Sequence, residues 1–187
     1  MAEHSLGDGL ILEDVRHVAF IPGSLAEGAE LARLNSENLQ LLFAEASIEE
    51  ARANEALKEE SPALLHELQR LEYKLNILLR LTAELAMREQ AMPPLQKIRL
   101  AAHGMELFGE ALSVGAGGIV RLYINPSVPQ PLILPSVVTG VSTRDSLPVA
   151  ELQFAGVSGP VADALEKLIF RHHRRLIAGT RYLPGRN

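Results

Sequence analysis

The spacing of apolar and polar positions changes several times along the chain, and each change predicts a different kind of element. Residues 10–22 place Val18 and Phe20 among polar neighbours, a strand-like pattern that ends at Pro22 and the glycine after it. A single strand is not stable by itself, so we expect this one to pair with strands that come later in the chain.

Residues 24–92 are rich in Leu, Ala and Glu and predict two long helices. Ser24 and Glu27 fit a capping box, in which side chains satisfy free amide groups at a helix start, so the first helix is predicted over about residues 25–59. A serine-proline pair then predicts the start of the second helix and a double proline its end, which gives residues 62–92.

The second helix contains a heptad repeat, in which residues recur in alternating steps of four and three, with Glu89 as the gap. A repeat that lasts about four heptads predicts a coiled coil with other helices. The core positions are Leu64, Leu68, Leu71, Leu75, Leu78, Thr82, Leu85 and Met92. Those expected to mediate oligomerisation are Leu64, Leu68, Leu71, Leu75, Leu78 and Leu85.

The apolar stripe on this helix is wider than the repeat itself, because Leu65, Leu79 and Leu81 extend it to the sides. One partner helix cannot cover so broad a stripe. We therefore predict two kinds of partner, which are the first helix of the same chain and the same helix from other copies. The alternative is an intramolecular hairpin that covers the whole stripe. Leucine at both core positions leaves the number of copies open.

Residues 95–157 return to short runs that are rich in Val and Ile and separated by Gly, Pro and Ser, which predict β-strands. The predicted strands are residues 98–107, 118–124, 132–141 and 149–154. Several short strands at this spacing predict a small antiparallel barrel. Residues 159–178 predict a closing helix that ends near Gly179, with a buried face formed by Leu165, Leu168, Ile169 and Leu176.

The predicted fold is therefore of the α+β class. A small antiparallel β-barrel with a closing C-terminal helix is built from residues 10–22 and 95–187. The helical pair of residues 24–92 is inserted into it for oligomerisation.

The composition and charge exclude several classes of function. The chain has no cysteine, which excludes disulfides and thiolate chemistry. Its net charge of -5 argues against general nucleic-acid binding. It has no signal-peptide pattern and no apolar run long enough to cross a membrane, so we expect a cytoplasmic protein. Residues 171–187 are strongly basic, either to contact an acidic partner or to suit the negative end of a helix.

No recognised catalytic or metal motif is present. The chain has no phosphate-binding glycine motif and no GxSxG or HExxH pattern. His172 and His173 are adjacent, so on a helix they point in different directions and cannot both face one ion. We therefore predict a protein that is not an enzyme, with no catalytic residue, cofactor or metal.

Residues 98–178 resemble a PilZ domain. The matching runs are 101–107, 115–124, 137–141 and 150–154, followed by a short loop and the closing helix. The resemblance implies a six-stranded barrel of the kind that commonly binds cyclic di-GMP. A subset of divergent PilZ proteins inserts long heptad helices and forms tetramers, so the resemblance also implies a tetramer here.

The ligand motifs of that family are degenerate in this chain. Aligned on Gly104, the motif positions for an acid or amide and for a serine hold Arg99 and Ala101. Near the first strand Arg16 lacks a second arginine four residues later, where Phe20 stands. Arginines with the required spacing occur only in the last helix, which makes Arg171, Arg174 and Arg175 weak candidates. We expect no significant binding of cyclic di-GMP.

The resulting hypothesis is an oligomeric adaptor for an unidentified protein partner, in type IV pilus assembly, motility or virulence signalling. One alternative is a cyclic di-GMP receptor with atypical ligand residues. Another is a coiled-coil structural protein whose barrel only caps the helices.

Overall fold

The computed structural model describes residues 9–54, 92–125 and 130–180, together with 66–68, 70–71, 73–75, 77–78 and 81–82. Side chains are described within these ranges except at residues 48–54 and 176–180. Two of the predicted oligomerisation residues, Leu64 and Leu85, therefore lie outside the described residues.

Six antiparallel strands form a closed barrel in the order β1-β2-β3-β6-β5-β4. The first strand, β1, is long enough to pair with β2 through residues 12–17 and with β4 through residues 18–22. The expected pairing of this strand with later ones is thus confirmed. The strands are β1 (Leu12–Pro22), β2 (Leu95–Leu100), β3 (Gly104–Phe108), β4 (Gly117–Leu122), β5 (Leu132–Arg144) and β6 (Leu147–Phe154).

The predicted single strand over residues 98–107 is wrong, because this segment is a hairpin of β2 and β3. Ile98 pairs with Leu107, and the amide of Ala101 donates to the carbonyl of Gly104 at 2.9 Å across the turn. The turn contains two alanines, His103 and Gly104 but no Pro, Asn or Asp, so the sequence gives only a weak sign of a reversal. This hairpin supplies the sixth strand that closes the barrel.

The barrel interior is filled by aliphatic side chains that alternate along the strands. Helix α2 (Gly159–Thr180) closes one end and buries Val161, Leu165 and Ile169 against them. Leu165, Leu168 and Ile169 are buried as predicted, whereas the Leu176 side chain lies outside the described residues. The helix ends at Thr180, two residues beyond its predicted end at residue 178.

Helix α1 (Gly28–Asn54) lies against the same structure and buries Leu34 and Leu42. Two asparagines join it to the barrel region. Asn38 accepts a hydrogen bond from the amide of Ile133 at 2.9 Å and donates to the carbonyl of the same residue at 2.8 Å. Asn35 accepts from the amide of Ser158 at 2.9 Å and donates to the carbonyl of Gly156 at 3.0 Å.

The predicted capping box is wrong, because α1 begins four residues after Ser24. Gly28, its first residue, has a φ of +54°, in the left-handed region that glycine adopts easily. A right-handed helix cannot extend backward through that residue, so Ser24 and Glu27 precede the helix. At the other end α1 is described to Asn54, and the expected residues 55–59 lie outside the described residues.

The β2–β3 hairpin depends on the absence of a side chain at Gly104. A Cβ there would lie 2.5 Å from the backbone oxygen of Leu152 in β6. We expect Gly104→Ala to lower the free energy of unfolding by about 1–3 kcal/mol, because backbone atoms must shift to make room. Chemical denaturation at fixed protein concentration measures this. In the control Gly23→Ala the added Cβ meets nothing within 4 Å. Equal stability of the two variants would contradict the prediction.

Candidate functional site

The degenerate ligand-motif position lies on the outer face of the barrel and is occupied by a network of charged side chains. Glu13 of β1, Arg99 of β2 and Glu106 of β3 are directly opposite one another on successive strands. Arg99 Nη1 is 3.0 Å from Glu106 Oε2, and its Nε is 2.9 Å from Glu13 Oε1. The arginine therefore lies between two carboxylates of its own chain.

Glu106 is the centre of this network and its side chain is only 1% exposed. Arg144 of β5 forms a bidentate ion pair with Glu106 from the other side, with Nη1 2.7 Å from Oε2 and Nη2 3.0 Å from Oε1. A buried carboxylate is stable only if its charge is paired and its oxygens are hydrogen-bonded, and the two guanidinium groups provide both. Burial alone would lower the pKa of Arg99, but Glu106 and Glu13 together raise the pKa above its ordinary value.

The other two motif positions have roles in the fold. Ala101 is buried and begins the tight turn between β2 and β3. Gly104 allows the close approach of β6. The motif segment thus forms a hairpin and an ion-pair network, and Ala101 offers a ligand no hydroxyl group.

The three arginines of α2 lie in different surroundings. Arg171 lines a surface groove with Leu10 and Phe170. The guanidinium of Arg174 lies over the Phe170 ring, 5.9 Å from its centroid. Arg175 instead lines a cavity at the end of the barrel. Arg171 and Arg175, which have the Arg-x-x-x-Arg spacing, therefore line two different pockets.

That cavity was not predicted from the sequence. It has a volume of about 170 Å³ and lies where the ends of strands β1, β2 and β4 meet both helices. Arg16, which has no partner arginine in the sequence, lines it together with His172 and Arg175. Because these residues come from opposite ends of the chain, no local pattern could have indicated that they meet.

The predicted oligomerisation residues that the structure describes are all exposed in the single chain. Leu68, Leu71, Leu75 and Leu78 are helical and have 48–59% of their surface exposed. Among the described residues, no group of three or more His, Asp or Glu side chains could hold a metal ion. The helices, as far as they are described, include none long and apolar enough to cross a membrane.

The family of the chain follows from comparison with known proteins. A family model described as an atypical PilZ domain, cyclic di-GMP receptor, matches residues 42–182, about three quarters of the chain. The chain belongs to the PilZ family. The match begins within α1, so β1 of this PilZ domain lies outside it even though it completes the barrel. The expected six-stranded PilZ barrel with a closing helix is confirmed.

A solved PilZ structure shares the architecture over nearly the whole chain. It is a pathogenic protein from Xanthomonas campestris, described as a tetrameric PilZ domain self-assembled via an unusual helical bundle. The two are 26% identical, with a TM-score of 0.73, and the alignment covers 92% of this chain and 93% of the other. No curated protein matches this PilZ chain significantly. PilZ domains bind ligands or partners and are not known as enzymes.

The Glu106 network leads to a prediction about stability. Glu106→Gln keeps the shape of the side chain but leaves two guanidinium groups facing an uncharged amide. We expect the free energy of unfolding to fall by about 2–4 kcal/mol, measured by chemical denaturation.

The matched control is Glu37→Gln. Glu37 pairs with Arg33 at 2.6 Å, but both side chains are well exposed on α1, so the loss should be less than about 1 kcal/mol. The assignment of Glu106 as a buried structural anion would be wrong if both variants lost equally little.

Proposed function

We propose that this PilZ protein is a non-enzymatic adaptor that assembles through its leucine-rich helical segment into a homo-oligomer, most simply a tetramer. It acts in the cytoplasm as a scaffold for an unidentified protein partner in type IV pilus, motility or virulence signalling. Cyclic di-GMP does not bind at the degenerate motif. Assembly multiplies weak contacts of the barrel surface, so that the oligomer gains avidity that one copy lacks.

The observation that carries the assembly proposal is the exposed row of leucines. Leu68, Leu71, Leu75 and Leu78 continue the heptad spacing, and each has about half of its surface exposed. Tyr73 and Leu81 are exposed in the same segment. Large apolar side chains that are exposed together in one segment mark an interaction site.

The heptad spacing favours other copies of the chain as the occupant of this surface. Leucines that recur in steps of three and four form one stripe along a helix and pack as knobs into holes of a facing helix. Identical copies present identical stripes, so the surface is complementary to itself. The Xanthomonas relative, a tetramer formed through a helical bundle, supports four as the number of copies.

The charges at the motif position support the absence of ligand binding there. Arg99 is positively charged, but it is already held between Glu106 and Glu13. An incoming phosphate would have to displace a carboxylate that is almost fully buried, or approach it against like-charge repulsion. Neither Ala101 nor Gly104 offers a polar side chain in compensation.

A second candidate function is a cyclic di-GMP receptor with atypical residues. It is favoured by the description of the matching family model as a cyclic di-GMP receptor. Within this chain the basic side chains of α2, Arg174 and Arg175, are the residues on which it would depend.

The assembly proposal predicts that Leu75→Asp with Leu78→Asp produces a species of lower mass than the wild-type chain. Two carboxylates in the core of a bundle have to be desolvated without a partner, which opposes association. Light scattering coupled to gel filtration measures the mass.

The matched control is Val114→Asp with Val141→Asp, which adds the same two charges at residues outside the leucine segment that are 59% and 52% exposed. Its mass should equal that of the wild type. An unchanged mass of the leucine variant, or a wild-type chain that is already monomeric and folded, would contradict the proposal.

The ligand proposal is checked by calorimetry. Titration of cyclic di-GMP into the wild-type chain should give no saturable heat. Saturable micromolar binding would contradict it, and abolition of that binding by Arg174→Gln with Arg175→Gln would assign the receptor function to α2.

A further inference from the structure

We propose that the second half of β5 binds an extended peptide segment of another protein, with aliphatic side chains at alternate positions and a basic residue. The segment joins the barrel as an added strand, through backbone hydrogen bonds to β5. This inference rests on the adaptor function proposed above and gives the kind of partner segment that the adaptor recognises.

The second half of β5 has a neighbouring strand on one side only, as far as the chain is described. Its pairing with β4 ends at Val137, whereas its pairing with β6 continues to Arg144, past a bulge between Val138 and Gly140. Alternate residues of an antiparallel strand direct their N–H and C=O groups to opposite sides. On the β4 side, residues 140–144 make no backbone hydrogen bond to any described residue. We call these residues the open edge.

A mainly apolar groove adjoins the open edge. It lies between residues 110–112, which follow β3, and residues 141–143 of β5, and its volume is about 270 Å³. Pro148 and Val149 of β6 complete its lining. Because side chains alternate between the two faces of a strand, an added strand directs every second side chain to the groove face. The groove therefore favours a segment with aliphatic residues at alternate positions.

Exposed apolar side chains surround the open edge. Val141 lies on it and is 52% exposed, and Leu147, at the start of β6, is 46% exposed. Val114 is 59% exposed and precedes Gly115, whose amide donates to the carbonyl of Val138 at 2.8 Å where the pairing with β4 ends. A sheet edge with free backbone groups is a template for another chain. Together with the apolar surface it fits an extended polypeptide.

The charged groups around the groove are mainly acidic. Glu110 alone is charged among the described residues that line it, and its Oε1 accepts a hydrogen bond from the neutral Gln96 amide at 2.9 Å. Asp145 in the hairpin turn and Glu151 of β6 are further acids. The base Lys97 lies over an aromatic ring of β3, with its Nζ 5.0 Å from the ring centroid. The groove therefore favours a basic residue in the bound segment.

A second copy of this chain fits the open edge less well than a segment of another protein. The base on the edge is Arg144, and both of its terminal nitrogens contact Glu106. A second copy would therefore bring an arginine that is already paired, together with its own Glu110. Like charges that face each other across an interface oppose association.

The probe for this site is the fluorescein-labelled peptide Lys-Val-Thr-Val-Thr-Val-Lys with both ends blocked, mixed with the full chain and measured by fluorescence anisotropy. It should bind saturably and about tenfold more tightly than the same peptide with Glu in place of both Lys. The lysine peptide with N-methyl groups along its backbone cannot donate hydrogen bonds to the edge and should not bind. The absence of saturable binding, or equal binding of the N-methylated peptide, would overturn the proposal.

Two variants, each with a control, locate the binding. Val141→Lys should weaken the lysine peptide about tenfold, because a charge on a sheet edge opposes strand addition. Its control is Val15→Lys, at a residue of β1 that is 54% exposed. Glu110→Lys should reverse the preference in favour of the glutamate peptide, whereas Glu30→Lys in the first turn of α1 should not. Circular dichroism verifies the fold. Binding that Val141→Lys leaves unchanged, or a preference that Glu110→Lys leaves unchanged, would contradict the site.

The mass of the Val141→Lys variant separates this inference from the assembly proposal. By light scattering it should equal the mass of the wild type. A lower mass would assign the open edge to a second copy and overturn the partner segment. An intact oligomer that binds no peptide contradicts this inference alone, whereas a monomer that binds the peptide contradicts the assembly proposal alone.

Discussion

Closure of the barrel depends on a single strand that precedes the helical insertion. The first half of β1 pairs with β2 and its second half with β4, so without it the sheet would have two open edges. The chain returns to the barrel beside the middle of this strand. There His17 Nδ1 lies 2.7 Å from the carbonyl oxygen of Pro93, and the Val18 amide donates to Pro94 at 3.4 Å. The long segment between β1 and β2 adds little to the entropy cost of bringing these two strands together, because loop-closure entropy grows only logarithmically with loop length.

The attachment of α1 to the barrel region is mainly uncharged. The side-chain amide of Asn38 hydrogen-bonds both the N–H and the carbonyl of Ile133, as the backbone of a neighbouring strand would. Asn35 does the same at the loop before α2. Neutral hydrogen bonds to fixed backbone groups are directional, and salt screens them less than exposed ion pairs. The helix that leads into the leucine segment therefore starts from a well-defined direction on the barrel.

Sequence patterns predicted the fold where each element has its own period. The short Val- and Ile-rich strands and the apolar face of α2 are local signals, and the barrel and the closing helix were predicted from them. The hairpin of β2 and β3 was missed because its turn has only Gly104 as a turn residue, and the need for that glycine lies in the close approach of β6. The start of α1 was misplaced because the positive φ of Gly28 interrupts a suitable cap.

The candidate sites were harder to predict because they depend on pairing between distant residues. Glu106 gave one available signal, an acid within an apolar strand, but only the register shows that Arg99 and Arg144 enclose it. The cavity residues Arg16 and His172 are far apart in sequence and meet only after the barrel has closed.

The topology also sets an order of events during synthesis. β1 leaves the ribosome first, yet it cannot complete its pairing until β4 has been translated. At about 5–20 residues per second, several seconds separate the two. The whole leucine segment is translated in that interval. The leucine segment of a nascent chain is therefore complete before its own barrel can close.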